Sequence, residues 1–350
     1  MIERFLEDLE NQIDETVEQQ LFNDWKNFCD GKFTGDIFCP RRMRTRAPKL
    51  EWPEVSINRA IEDFDQMALQ QFGVCARALA KGSGEILCVR CNYGTSILPS
   101  LFGVKLFYME EQMNTLPTSW PLVNDVRGIE ALLEQGLPDL YQSFGHKTLE
   151  MGHYFVALKR KYPKINEYVH IYHPDLQGPM DVCELLLGSQ LYILIIDAPE
   201  LIKKLLDLLT DAYIAFMREW EKIVGESSVY AVHWYLLHHG KIMLRDDSAM
   251  NFSPEMFDEF IKPYDQRLLT EFQGGAIHFC GHGDHYIPSM SQLAGLSAIN
   301  LSQPELNNME KIYQHTVDKG IKLIGFSGIQ AREEIKNGRD FHGQVHCFDV

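Results

Sequence analysis

His278, Phe279 and Cys280 put an imidazole and a thiol two residues apart at the end of an apolar run. On a β-strand, residues i and i+2 face the same side, so the two groups would converge. Both are zinc ligands, and a catalytic zinc site takes three protein ligands and leaves a fourth position open. A buried cysteine beside a hydrogen-bonded histidine has the same spacing, and spacing alone leaves both readings standing. Gly281-His282-Gly283-Asp284-His285 follows, adding ligand types in a glycine-bearing loop. Asp246-Asp247 is a carboxylate pair at another strand end. Neighbours on a strand rarely share a face, so one of them lines a site while the other caps a helix or meets a base.

Other polar residues gather at strand ends: Arg90 and Asn92, His173 and Asp175, Ser302, Ser327. Residues 41–49 carry Arg41, Arg42, Arg44, Arg46 and Lys49, which read either as a clamp for substrate carboxylates or as an exposed loop on an acidic surface. Cys88 and Cys91 form an isolated C-x2-C whose thiols would point to opposite faces of a strand, the pattern of structural cysteines. His233, His238 and His239 read as solvated or supporting groups. No phosphate-binding G-x-x-x-x-G-K-[ST] loop, dinucleotide G-x-G-x-x-G or G-x-S-x-G nucleophile elbow is present, so nucleotide transfer and serine hydrolysis have no support.

The elements that must position these groups alternate short apolar runs with helical periodicity, as parallel βαβ units do. Strands are expected at 86–90, 104–108, 168–173, 229–235, 242–245, 276–279, 298–301 and 323–326. Their number predicts a (β/α)8 barrel of the TIM type, in which chemistry sits at the C-terminal strand ends. The first 80 residues are expected as an N-terminal helical extension packed on a barrel domain over 81–350. Asp197 with Glu200 reads as a capping box opening a long helix that Gly225 ends. Ser253-Pro254 opens another helix, which Pro263 should kink.

The whole chain of 350 residues is 45% hydrophobic and 23% charged, the composition of a globular protein with a sizeable core. Its formal net charge of −16 disfavours nucleic acid and anionic membrane as partners. The longest apolar stretches fall short of the roughly 20 residues of a membrane helix. The acidic, amphipathic start does not read as a signal or transit peptide. The 8 scattered cysteines suit a reducing, cytoplasmic setting better than a disulfide framework.

The ordered segments Tyr172-His173-Pro174-Asp175-Leu176-Gln177-Gly178-Pro179, Asp197-Ala198-Pro199-Glu200, Arg245-Asp246-Asp247, Ser253-Pro254-Glu255 through Lys262-Pro263-Tyr264, and His278-Phe279-Cys280-Gly281 resemble the uroporphyrinogen decarboxylase superfamily. That superfamily contains decarboxylases and corrinoid-dependent methyltransferases on a distorted (β/α)8 barrel. The decarboxylase branch has an arginine-rich N-terminal motif, matched here only by the loosely basic 41–49, and a serine where Asp247 stands. The methyltransferase branch holds zinc with His-x-Cys and a cysteine far downstream. His278 and Cys280 match the first half, and Cys347 is the candidate third ligand, in the unfamiliar setting His346-Cys347-Phe348.

The resemblance implies a zinc-dependent methyltransferase that moves a methyl group between a corrinoid and a thiol or other small acceptor. Asp247, His173 and Asp175 would be its catalytic residues, and Arg90, Asn92 and Tyr172 would bind substrate. The implied partners are a small-molecule substrate, a corrinoid protein and a second copy of the chain. The alternative it implies is a metal-independent carboxy-lyase acting on a tetrapyrrole or another polycarboxylate.

Overall fold

The computed structural model describes residues 2–226 and 228–349. Its strands, in chain order, are β1 (Ile37–Phe38), β2 (Cys88–Val89), β3 (Leu106–Phe107), β4 (Thr118–Ser119), β5 (His170–Ile171) and β6 (Tyr230–His233). There follow β7 (Leu236–His239), β8 (Ile242–Arg245), β9 (Gly275–Phe279), β10 (Leu296–Leu301), β11 (Lys322–Phe326) and β12 (Val345–Cys347). Six of them form one sheet in the order β1-β12-β11-β10-β9-β8, and every pairing in it is parallel. A separate parallel pair joins β2 to β5. The protein is thus an α/β fold built on a parallel sheet. Among the described residues, its backbone ladders do not close into a ring.

Individual hydrogen bonds span the two gaps. Between β5 and β8, the Met243 amide donates to His173 Nε2 at 2.9 Å, and the Gly178 amide donates to the Arg245 carbonyl at 2.9 Å. A Cβ on Gly178 would lie 2.5 Å from that carbonyl oxygen, so this approach requires glycine. Between β1 and β2, Arg42 donates to the carbonyls of Ser83 and Glu85, and Trp25 Nε1 donates to the Gly84 carbonyl at 2.8 Å.

The central strands are apolar runs because both of their faces are buried. Ile242, Leu244, Ile277, Phe279, Ile299, Leu301, Leu323, Val345 and Cys347 face the outer helices. Met243, Ala276, Ala298 and Ile324 face inward, where they meet Trp25 and Phe28 of the helix Glu15–Cys29 and Leu236 and Leu237 of β7. Small inward residues on β9 and β10 leave room for this filling.

The N-terminal 80 residues are therefore more than helical cover. They supply β1 to the main sheet and Trp25 to its inner face. The chain opens with two helices, Ile2–Gln12 and Glu15–Cys29, because the Asp14 carboxylate caps the second by accepting from Thr16 N and Val17 N.

Two expected strands, 104–108 and 229–235, belong instead to the antiparallel hairpins β3–β4 and β6–β7. Their places in the parallel sheet are taken by β1 and β12, which are too short to show a period. The long helix runs Pro199–Val224 and ends at Gly225 as expected. Its start is Pro199 at the first helical position, whereas Asp197 closes the preceding helix Leu191–Asp197. Ser253 caps Pro254–Phe260 through Met256 N, and the chain breaks at Ile261 before Lys262–Glu271. Among the described residues, only Pro179–Asp197 is long and apolar enough to cross a membrane, and it is 56% buried in the protein.

Candidate active site

β8 and β9 are neighbours, and their C-terminal ends bring Asp247, His278 and Cys280 together. His278 is an inward residue of β9, and Cys280 follows on the same face. Asp247 lies just past β8, where the amides of Asp247 and Ser248 donate to the Asp181 carboxylate at 3.0 and 2.7 Å. Asp181 sits in the first turn of Pro179–Leu187, so the start of that helix orients Asp247.

His278 Nε2 stands 3.5 Å from Asp247 Oδ1 and 3.4 Å from Cys280 Sγ, and the three ligand atoms lie within 4.8 Å of one another. Bond lengths of about 2.0–2.3 Å around a tetrahedral ion put ligand atoms roughly 3.3–3.6 Å apart, and the two measured separations match that range. The buried oxygen Asp247 Oδ1 has no hydrogen-bond partner. Asn300, inward on β10, donates through Nδ2 to the Ile324 carbonyl at 2.7 Å, so its Oδ1 must accept from His278 Nδ1, also 2.7 Å away. The imidazole proton is thereby held on Nδ1, and the Nε2 lone pair faces Asp247 and Cys280. Burial pushes His278 below the usual histidine range. It also pushes the Cys280 thiol up to about 11, although Ser302 opposes this. A neutral imidazole, a protonated thiol and a carboxylate with a bare buried oxygen make a donor set of the type that suits a divalent ion.

A second polar group adjoins this one. Asp175 is 1% exposed and pairs with Arg90 Nη1 and Arg245 Nη2, each at 2.6 Å, with His233 Nε2 at 3.5 Å. Burial alone would raise its pKa, but the guanidiniums of Arg245 and Arg90 hold the carboxyl well below the usual range. Arg245 lies over the Trp234 ring at 4.2 Å, and Trp234 meets His278 edge-on at 4.7 Å. Two arginines against one carboxylate leave a net positive charge beside the His278 group.

The structure separates the other expected site residues from this mouth. His173 uses both nitrogens: Nε2 accepts from Met243, so Nδ1 carries the proton and donates to the Pro174 carbonyl at 2.8 Å. It ties β5 to β8 and has no free lone pair for proton transfer. Tyr172 is buried under His233, with ring centroids 4.6 Å apart. Asn92 is buried against the helix Phe64–Lys81, where its Nδ2 donates to Gln70.

Cys347 does not join Cys280. It lies on β12, separated from β9 by β11 and β10, which places it roughly 14 Å across the sheet. It also faces the outer core, because β12 turns His346 inward. The residue that adjoins His278 and Cys280 is Asp247.

The basic stretch is no clamp. Arg42 forms a buried bidentate pair with Glu18, Arg41 pairs with Asp349, Arg44 with Asp14, and Arg46 caps the Asn11 carbonyl. Cys88 and Cys91 are buried on opposite faces, as the spacing implies. Sequence reasoning missed the roles of Asn300, Asp181 and Trp234. Inward alternation along Ala298, Asn300 and Ser302 was the available signal for the first.

Residues 176–325 match the model of the uroporphyrinogen decarboxylase (URO-D) family. The match accords with the ordered motifs that resemble the uroporphyrinogen decarboxylase superfamily. Among solved structures, a methyltransferase from Methanosarcina mazei has the same fold. Its TM-score is 0.62 at 17% identity, with 84% of this chain and 82% of that one covered. At that identity the likeness is one of fold. No curated protein matches the sequence significantly.

Proposed function

We propose that this protein is a cytoplasmic, zinc-dependent methyltransferase that passes a methyl group from a corrinoid, presented by a corrinoid protein, to a small thiol. The observation that carries the reading is the convergence of Asp247 Oδ1, His278 Nε2 and Cys280 Sγ at the strand ends, with the histidine tautomer fixed by Asn300. These three residues would hold the metal, and a bound zinc supplies a lowered pKa to an acceptor thiol. The carboxylate offsets the metal's charge, and Asn300 keeps the imidazole turned toward it. Arg90 and Arg245, only partly neutralised by Asp175, favour an acceptor or donor carrying negative charge. The fold shared with a methyltransferase agrees with this reading. A carboxy-lyase on a polycarboxylate would want free arginines, and those of residues 41–49 are held by the N-terminal helices and Asp349.

The test is elemental analysis of protein purified without added metal, together with methyl transfer from methylcobalamin to a simple thiol followed by absorbance. At least one equivalent of zinc is expected, and Cys280→Ser should lower metal affinity at the Asp247–His278 group and transfer by roughly 100-fold or more with the fold intact. Metal-free protein that turns over at the full rate defeats the proposal.

A further inference from the structure

The loop leaving β9 carries a second convergence of ligand atoms. His282, Asp284 and His285 each place one such atom within 4.8 Å of the others. His282 Nε2 stands 2.7 Å from Asp284 Oδ1, and the two imidazoles stack with centroids 4.7 Å apart. Two anchors set the group in place. Asp284 Oδ2 accepts from the Asn308 amide at 3.0 Å, which leaves Oδ1 to the cluster. His285 Nε2 lies 2.9 Å from the Phe252 carbonyl, and a carbonyl only accepts, so the imidazole proton is on Nε2 and the lone pair on Nδ1. That Nδ1 is shielded from solvent and has no hydrogen-bond partner. A buried acceptor left unpaired is unfavourable, and a cation would relieve it. The loop backbone is also stapled, because the amides of Gly283 and Asp284 donate to Asn307 Oδ1 at 2.7 and 3.1 Å.

We propose that His282, Asp284 and His285 form a second metal site, for a divalent first-row transition ion. Two imidazoles and one carboxylate, with water in the remaining positions, suit zinc, cobalt, manganese or ferrous iron. The site contains no thiolate, which distinguishes it from the group at Cys280. Through Asn307 and Asn308, an ion here would clip the loop after β9 to the segment after β10. The inference does not rest on the proposed methyltransferase activity.

Cobalt(II) titration followed by absorption tests it. In the double variant His278→Ala/Cys280→Ser, about one equivalent should still bind, with visible d–d bands and no near-ultraviolet thiolate-to-cobalt band. Adding His285→Ala should abolish that binding, and cobalt should raise the melting temperature of the double variant but not of the triple. The thiolate band reports the Cys280 group alone, so failure of either site is read separately. A double variant that is folded by circular dichroism yet takes up no cobalt on dialysis overturns the proposal, leaving His282 and Asp284 as an ion pair only. Undiminished binding in the triple variant overturns it too.

Discussion

Asn300 controls His278 without itself being placed to touch an ion. Its amide orientation is imposed by the Ile324 carbonyl, and through it the proton on His278 stays on Nδ1. Gly325 makes room for this arrangement: its φ is +71°, and a Cβ there would lie 2.7 Å from Asn300 Nδ2. Asn300→Ala should therefore weaken zinc binding about 10–100-fold, the usual cost of losing a ligand's supporting partner. Gly325→Ala should weaken it in the same direction while adding backbone strain. Competition with a chelator measures both, and wild-type affinity in Asn300→Ala would show that the tautomer does not matter. At this scale the sequence was readable where local geometry decides. The spacing of His278 and Cys280 predicted their shared face, and Asp247 was identifiable as a strand-end carboxylate. The placement of Cys347 was not readable, because one residue of parity on β12 exchanges it for His346, and parity on a three-residue strand leaves no periodic trace.

The hairpin β6–β7 is the element least visible in the sequence. Its turn residues Trp234 and Tyr235 have φ of +46° and +67°. Tight hairpin turns of that kind normally announce themselves with Asn or Gly, and here the bulky pair made 229–235 read as one strand. Left-handed conformations at non-glycine residues cost of order 1–3 kcal/mol each, so packing must hold them. Trp234 provides that packing by lying under Arg245 and against His278. Trp234→Ala should keep the metal, since no ligand is removed, and lose methyl transfer, since Arg245 and the mouth are released. Loss of metal and activity together would contradict this division. The helix Ser143–Lys159 offers a prediction of opposite sign. It ends with Lys159 in a cavity of about 640 Å³ that His170 and Lys241 also line, away from the Cys280 group. Burial pushes Lys159 down to about 8. Below that pH its charge is maintained at a cost, so Lys159→Met should stabilise the protein by about 1–3 kcal/mol at pH 7. Above pH 8 the folded lysine is neutral while the unfolded one stays protonated to about 10.4, so the gain should shrink as pH rises toward 10. Chemical denaturation at pH 7 and pH 10 reads the difference, and an unchanged gain would show that the ammonium is not desolvated.

At the scale of the whole molecule, histidines on and beside the inner face of the sheet couple folding to pH. Burial pushes His170, His173 and His238 down to about 4, His346 to about 3, and His233 well below the ordinary value. These residues sit on β5, on β12, in the hairpin and in the gap between β5 and β8, so protonating them in place would charge the interior. In the unfolded chain each binds a proton near pH 6.5. Between about 6.5 and 4 the unfolded state therefore holds more protons, and stability falls as pH falls. Each retained proton difference contributes about 1.4 kcal/mol per pH unit, so five approach about 7 kcal/mol per unit at the steepest. A total stability of about 5–15 kcal/mol would be exhausted within one to two units. The protein should consequently unfold cooperatively above pH 4, before its ordinary carboxylates titrate. Asp175, held low by its arginines, works in the same direction only at still lower pH. Denaturation free energies across pH 7.5 to 4.5 would give the slope, and potentiometry would count the protons taken up on unfolding. His346→Gln should reduce that count by about one while keeping an acceptor for the Gly325 amide, which now donates to His346 Nδ1 at 3.1 Å. Stability that stays level from pH 7 to 5 would mean that these imidazoles are hydrated rather than buried, and the packed inner face described above would have to be abandoned.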